Sequence, residues 1–106
     1  MNLFADIPAA LPQELVTLLH QSPHVRIERI VSRQHATPVG EWYDQQTNEY
    51  VVLLTGSAGL RIDGRDDLVD MKPGDAILLP VHCRHRVEWT DAACDTIWLA
   101  VHVNNP

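Results

Sequence analysis

The side chains best suited to chemistry near neutral pH begin with His82 and His85, close together in the run His82-Cys83-Arg84-His85-Arg86. His35 stands just ahead of a Pro38-Val39-Gly40 turn, from which it could reach the same mouth. Imidazole and carboxylate are the donors that suit Fe, Mn, Ni, Cu or Zn, and a site of three or four such ligands leaves room for water or O₂. Glu49 opens the apolar run Tyr50–Leu54. A carboxylate on a buried wall must be paired or neutralised, because water no longer solvates its charge. Glu49 with His85 reads either as part of a metal site or as a hydrogen-bonded pair. Trp42 and Tyr43 read as wall packing or as a stacking platform for a ligand, with Arg84 as a further contact. His20, His24 and His102 are dispersed and read as solvated or edge residues. Cys83 and Cys94 form no C-x-x-C and no disulfide framework, so both are expected to be unbonded in a reducing compartment.

The elements that must carry these residues are mostly strands. Val25 to Ser32 is rich in β-branched residues, and Glu49 to Leu54 ends in a Thr55-Gly56-Ser57 turn. Gly59 to Ile62 leads into Asp63-Gly64, a strong two-residue hairpin signal. Leu68 to Met71, Ala76 to Pro80, Arg86 to Thr90 and Thr96 to Val103 complete the set, with Lys72-Pro73-Gly74-Asp75 as a further turn. Many short strands with turns between them predict an all-β antiparallel sandwich or barrel. One helix is expected over about Pro12–His20, where Leu11, Leu15, Leu18 and Leu19 fall on one stripe and Pro12 suits the first turn.

Side chains alternate across a strand, so faces can be assigned by period two. Glu49, Val51 and Leu53 share one face, opposite Tyr50, Val52 and Leu54. His85, Val87 and Trp89 share another, and Ile97, Leu99 and Val101 are expected to match them on the last strand. Apolar residues on both faces of Glu49–Leu54 and Thr96–Val103 imply that both are covered, one by the interior and the other by a second subunit. A homodimer through the outer sheet is the expectation.

Two spacings go further. Glu49 is followed by six residues and Gly56; Gly74 is followed by five residues and Pro80, with His85 after four more. This pattern resembles the cupin family, whose first motif ends in Glu-x6-Gly and whose second reads Gly-x5-Pro-x-Gly-x2-His. The resemblance covers roughly Arg26 to Val103. It implies an antiparallel double-stranded β-helix, the cupin jelly-roll barrel, with one pocket for a divalent transition metal or a small polar ligand. Residues 1–24 would then be an N-terminal extension with the short helix and residues 25–103 the barrel, one domain overall. Metal-binding cupins open the first motif with His-x-His. Here that pair falls on Trp42 and Asp44, or on Tyr43 and Gln45 in the alternative frame, and His82 stands where the second motif usually has Gly. Strict carry-over leaves Glu49 and His85 as metal ligands, with Asp44 and His82 as substitutes and Trp42, Tyr43 and His35 as ligand contacts.

The whole chain narrows the partners. With 106 residues, one domain is the natural count. Eight Lys and Arg against fourteen Asp and Glu make a net charge of −6, which repels a phosphate backbone and argues against nucleic acid. There is no apolar run long enough to span a membrane. The start of the chain carries Asp6, Pro8 and Pro12 where a signal peptide needs basic residues and then an apolar stretch, so a cytoplasmic location is expected. The sequence leaves three functions open: a metal-dependent enzyme, a metal-free small-molecule binding or sensing module, and a vestigial pocket in a protein that serves in assembly.

Overall fold

The computed structural model describes residues 1–104, and these form eight strands and no helix. The strands are β1 (Leu15–Gln21), β2 (Val25–Ser32), β3 (Asn48–Thr55), β4 (Ala58–Ile62), β5 (Val69–Met71), β6 (Ala76–Leu79), β7 (His85–Thr90) and β8 (Thr96–Val103). They make a five-stranded sheet, β1-β2-β8-β3-β6, facing a three-stranded sheet, β5-β4-β7, and every pair is antiparallel. Val51, Leu53, Ala58, Leu60, Met71, Leu79 and Trp98 fill the space between the sheets.

The helix expected near Pro12–His20 is absent, and β1 takes its place. Leu15 pairs with Val31 and Leu18 with Glu28 in the ladder with β2. The leucine stripe is thereby split: Leu15, Thr17 and Leu19 are half-buried on one face, while Val16 and Leu18 stand exposed on the other. A two-turn helix is marginal by itself, and strand pairing satisfies the same backbone groups against an existing sheet.

Two face assignments also change. Glu49 lies opposite His102, Val51 opposite Ala100 and Leu53 opposite Trp98, so Trp98, Ala100 and His102 point inward, not Ile97, Leu99 and Val101. Both sets are largely apolar, and only the register across β3 distinguishes them. On β7, Leu60 pairs with Val87 but Gly59 pairs with Trp89, which leaves Glu88 as an unpaired bulge residue. The bulge turns Trp89 to the outer face, where its ring lies on Gly59; a Cβ on Gly59 would sit 2.8 Å from Trp89 Cε2.

The outer face of the larger sheet is partly strapped by the N-terminal segment. Arg29, buried on that face, donates to the carbonyls of Ala5 at 2.6 Å and Leu3 at 3.3 Å. Among the described residues, no helix is long and apolar enough to cross a membrane. Cys83 and Cys94 are both free.

Candidate functional site

A cavity of about 510 Å³ opens between the sheets. Its walls are apolar, with Ile30, Val51, Leu60, Leu79, Val87 and Trp98 among the lining residues, and its polar groups come from β2, β3, β7 and β8 and from the segments around Glu14 and residues 35–45. This volume lies within the usual range for small-molecule sites, roughly 300–1,000 Å³.

Glu49 and His85 both line the cavity, and each is only 6% exposed. The position of His85 follows from its backbone: Tyr43 N donates to His85 O at 2.8 Å, and His85 N donates to Tyr43 O at 3.1 Å. Its Nδ1 donates to the carbonyl of Cys83 at 2.9 Å, which assigns the proton to Nδ1 and leaves the Nε2 lone pair free. That Nε2 faces Glu49 Oε1 at 3.8 Å, too far for a hydrogen bond. Glu49 Oε2 lies 3.9 Å from Nε2 of His102, and Glu49 Oε1 is buried without any hydrogen-bond partner.

His102, expected at an edge, is instead 3% exposed on this floor. Its ring is held between Thr47 Oγ1 and Glu28 Oε1, both at 3.2 Å. Glu28 in turn lies 3.5 Å from Arg26 Nε. Sequence reasoning missed His102, Glu28 and Arg26. The available signal was parity, since His102 follows Trp98 and Ala100 at intervals of two, but the neighbouring parity looked equally apolar.

The floor controls proton affinity through desolvation. Burial, reinforced by the Glu28 charge and opposed by Arg26, raises the Glu49 carboxyl to about 7. Burial lowers His85 despite its bond to the Cys83 carbonyl. Burial also lowers His102, with the Arg26 charge acting in the same direction and Glu28 against it. Neutral imidazoles thus flank a carboxyl poised near neutrality. Tyr43 stacks on His85 with ring centroids 5.4 Å apart and lines the cavity, and burial raises its phenol, with the Glu14 charge adding to the effect.

The remaining expected site residues separate into two groups. His35 lines the cavity, with its Nδ1 accepting from Arg33 N at 2.8 Å. Asp44 and His82 do not line it; they bond to each other at 2.7 Å on the surface, with side chains 49% and 63% exposed. Trp42 is also outside the lining, with the guanidinium groups of Arg84 at 5.1 Å and Arg86 at 6.0 Å over its ring. Arg86 donates to the carbonyls of Thr37, Pro38 and Glu41, which fixes the loop carrying His35 and Tyr43 at the mouth.

A transition metal would draw on Glu49, His85, His102 and Glu28, a donor set of the right N/O type. The arrangement does not fit one as it stands. The positions that would supply His-x-His are Trp42 and Asp44, both off the cavity, and His102 Nε2 is taken by Glu28. Among the described residues, no group of three or more His, Cys, Asp or Glu side chains is placed to hold a metal ion.

A two-sheet antiparallel barrel closed around one side-chain-lined pocket defines a cupin class of protein, and comparison with known proteins agrees. A Ralstonia eutropha JMP134 protein, provisionally described as a mannose-6-phosphate isomerase, is 45% identical over 99% of this chain and 97% of its own, with a TM-score of 0.95. A cupin superfamily protein from Desulfitobacterium hafniense DCB-2 shares the fold at 21% identity, covering 93% of this chain and 84% of its own, with a TM-score of 0.76. The chain is a small domain with the cupin fold. No family model matches it. Among curated proteins, 3-hydroxyanthranilate 3,4-dioxygenase of Paraburkholderia phytofirmans PsJN is 39% identical over 54 residues, which is 49% of this chain. The match spans only 31% of that enzyme's length.

Proposed function

We propose that this cupin binds a small molecule, metal-free, with the ligand's apolar body between the sheets and its polar end on the Glu49–His85–His102 floor. One observation carries the reading: a cavity of about 510 Å³ ends on a buried carboxyl oxygen that has no partner within the protein. Such an oxygen costs about 1–3 kcal/mol while unsatisfied, so a ligand that satisfies it gains that much in affinity. A carboxyl near neutrality beside a free imidazole lone pair also suits proton exchange with the bound molecule.

A second reading has Glu49, His85 and His102 holding a divalent transition metal. It is favoured by the same unpartnered oxygen, by the donor types, and by the dioxygenase names of the curated relatives. It requires Glu28 to release His102. When bound, the ion would supply Lewis-acid polarisation of a substrate.

The two readings part in one experiment on untagged protein: elemental analysis together with a fragment screen followed by protein-observed NMR. Metal-free binding predicts substoichiometric metal and fragment-induced shifts confined to cavity residues. Stoichiometric Fe, Mn, Ni, Cu or Zn that is lost in His85→Ala would replace it with the metal reading.

A further inference from the structure

Resting on the ligand-pocket reading, the geometry points to the class of molecule: we propose that the cavity selects an apolar-bodied organic amine, bound as its ammonium on Glu49, and rejects anions, including phosphorylated sugars.

The preference follows from the balance of charge inside the cavity. The charged groups that line it are the carboxyls of Glu14, Glu28 and Glu49 against the single guanidinium of Arg26. Arg26 lies beside Glu28, at 3.5 Å. Glu14 sits exposed at the mouth, where its Oε2 accepts from Ser32 Oγ at 2.6 Å. That leaves Glu49, the deepest carboxyl, with no cation of its own. Its two oxygens face the Nε2 atoms of His85 and His102 at 3.8 and 3.9 Å, beyond hydrogen-bond reach. An ammonium has three donors and a full positive charge, and could bridge Glu49 to the free His85 lone pair. A phosphate or carboxylate placed there would meet an uncompensated carboxyl across a medium of low dielectric.

The walls add to this preference. Trp98 and Tyr43 line the cavity as aromatic neighbours for a cation, while Val51, Leu60, Leu79 and Val87 suit a hydrocarbon body rather than a hydroxylated ring. The charge balance therefore runs against the mannose 6-phosphate of the structural neighbour's description, despite the close likeness of the folds.

Three probes of equal size and different charge test this on EDTA-treated protein near pH 8: benzylamine, benzyl alcohol and benzoate, with mannose 6-phosphate alongside. Binding is read by NMR titration of the Trp98 indole and the β3 amides. Benzylamine is expected to bind at least about tenfold more tightly than benzoate, a difference of about 1.4 kcal/mol. Mannose 6-phosphate should cause no cavity shifts. Glu49→Gln, which keeps the shape, should erase the amine preference while its thermal unfolding stays at or above that of the wild type. Benzoate or mannose 6-phosphate binding in preference to benzylamine would overturn the charge rule and leave the pocket reading intact. Unchanged amine selectivity in Glu49→Gln would also overturn it. No cavity response to any probe would overturn the pocket reading itself.

Discussion

Glu49 stands on β3 because the strand's alternation puts it in line with Val51 and Leu53, and burial there makes its ionised form costly. A carboxyl whose folded-state value is about 7 against an ordinary 4.5 holds its proton more tightly in the folded state. Its contribution is therefore fully present below pH 4.5 and is lost as pH rises to 7, a change of about 3 kcal/mol at most. His85 and His102 act oppositely: with lowered affinity for a proton, they favour the fold above their unfolded value and weaken it as pH falls. The difference between wild type and Glu49→Gln isolates the carboxyl. Denaturant unfolding should find the variant about 2 kcal/mol more stable at pH 8, with the advantage shrinking toward pH 5. An advantage independent of pH would mean that Glu49 is solvated or paired.

At the scale of elements, the turns and the loop at the mouth hold the floor in place. Gly56, the glycine of the first motif, has a φ of +80°, and a Cβ there would lie 2.8 Å from Thr96 Cα and 2.9 Å from the Asp95 carbonyl. The three atoms nearest a Cβ on Gly59 all belong to the Trp89 side chain, which is part-exposed and can swing aside. Gly56→Ala should therefore cost about 3 kcal/mol and Gly59→Ala about 1 kcal/mol, ranked by thermal unfolding. Arg86→Lys keeps the charge but loses the fork that reaches three carbonyls. Hydrogen exchange should quicken across residues 35–43, with about 1–3 kcal/mol lost in global stability. Seven strands and the turns at Gly40, Gly56, Gly64 and Gly74 were legible because β-branched runs and turn residues act locally. The parity of β8 was not, since Ile97-Leu99-Val101 and Trp98-Ala100-His102 are alike in polarity and only pairing with β3 separates them. The same ambiguity hid His102. β1 was not legible because Leu11, Leu15, Leu18 and Leu19 satisfy a helical stripe, while the strand that pairs with Leu15 and Leu18 lies elsewhere in the chain. Glu49 and His85 were legible from motif spacing; Arg26 and Glu28 were not, because charged residues in a strand ordinarily face water.

For the whole molecule, the outer face of the larger sheet carries an exposed apolar patch. Tyr50 and Leu78 pair across β3 and β6 and are 47% and 55% exposed, with Val101 opposite Tyr50 on the other side. The N-terminal strap held by Arg29 covers a different part of that face. An apolar patch of this kind on a small domain usually marks an interface, and two-fold pairing is the commonest way to bury it. Light scattering at micromolar concentration is expected to give about twice the chain mass. Tyr50→Lys with Leu78→Lys should reduce it to a single chain with the fold intact. A wild-type mass of one chain would reject the dimer.

The ligand-pocket account depends most on the state of one carboxyl. Selective labelling of glutamate with ¹³C allows the Glu49 carboxyl to be titrated directly by NMR, assigned by its loss in Glu49→Gln. The account predicts a midpoint near 7, as expected of a buried carboxyl whose desolvation Arg26 only partly offsets. A midpoint in the ordinary carboxylate range, or a carboxyl locked ionised until EDTA is added, would contradict it.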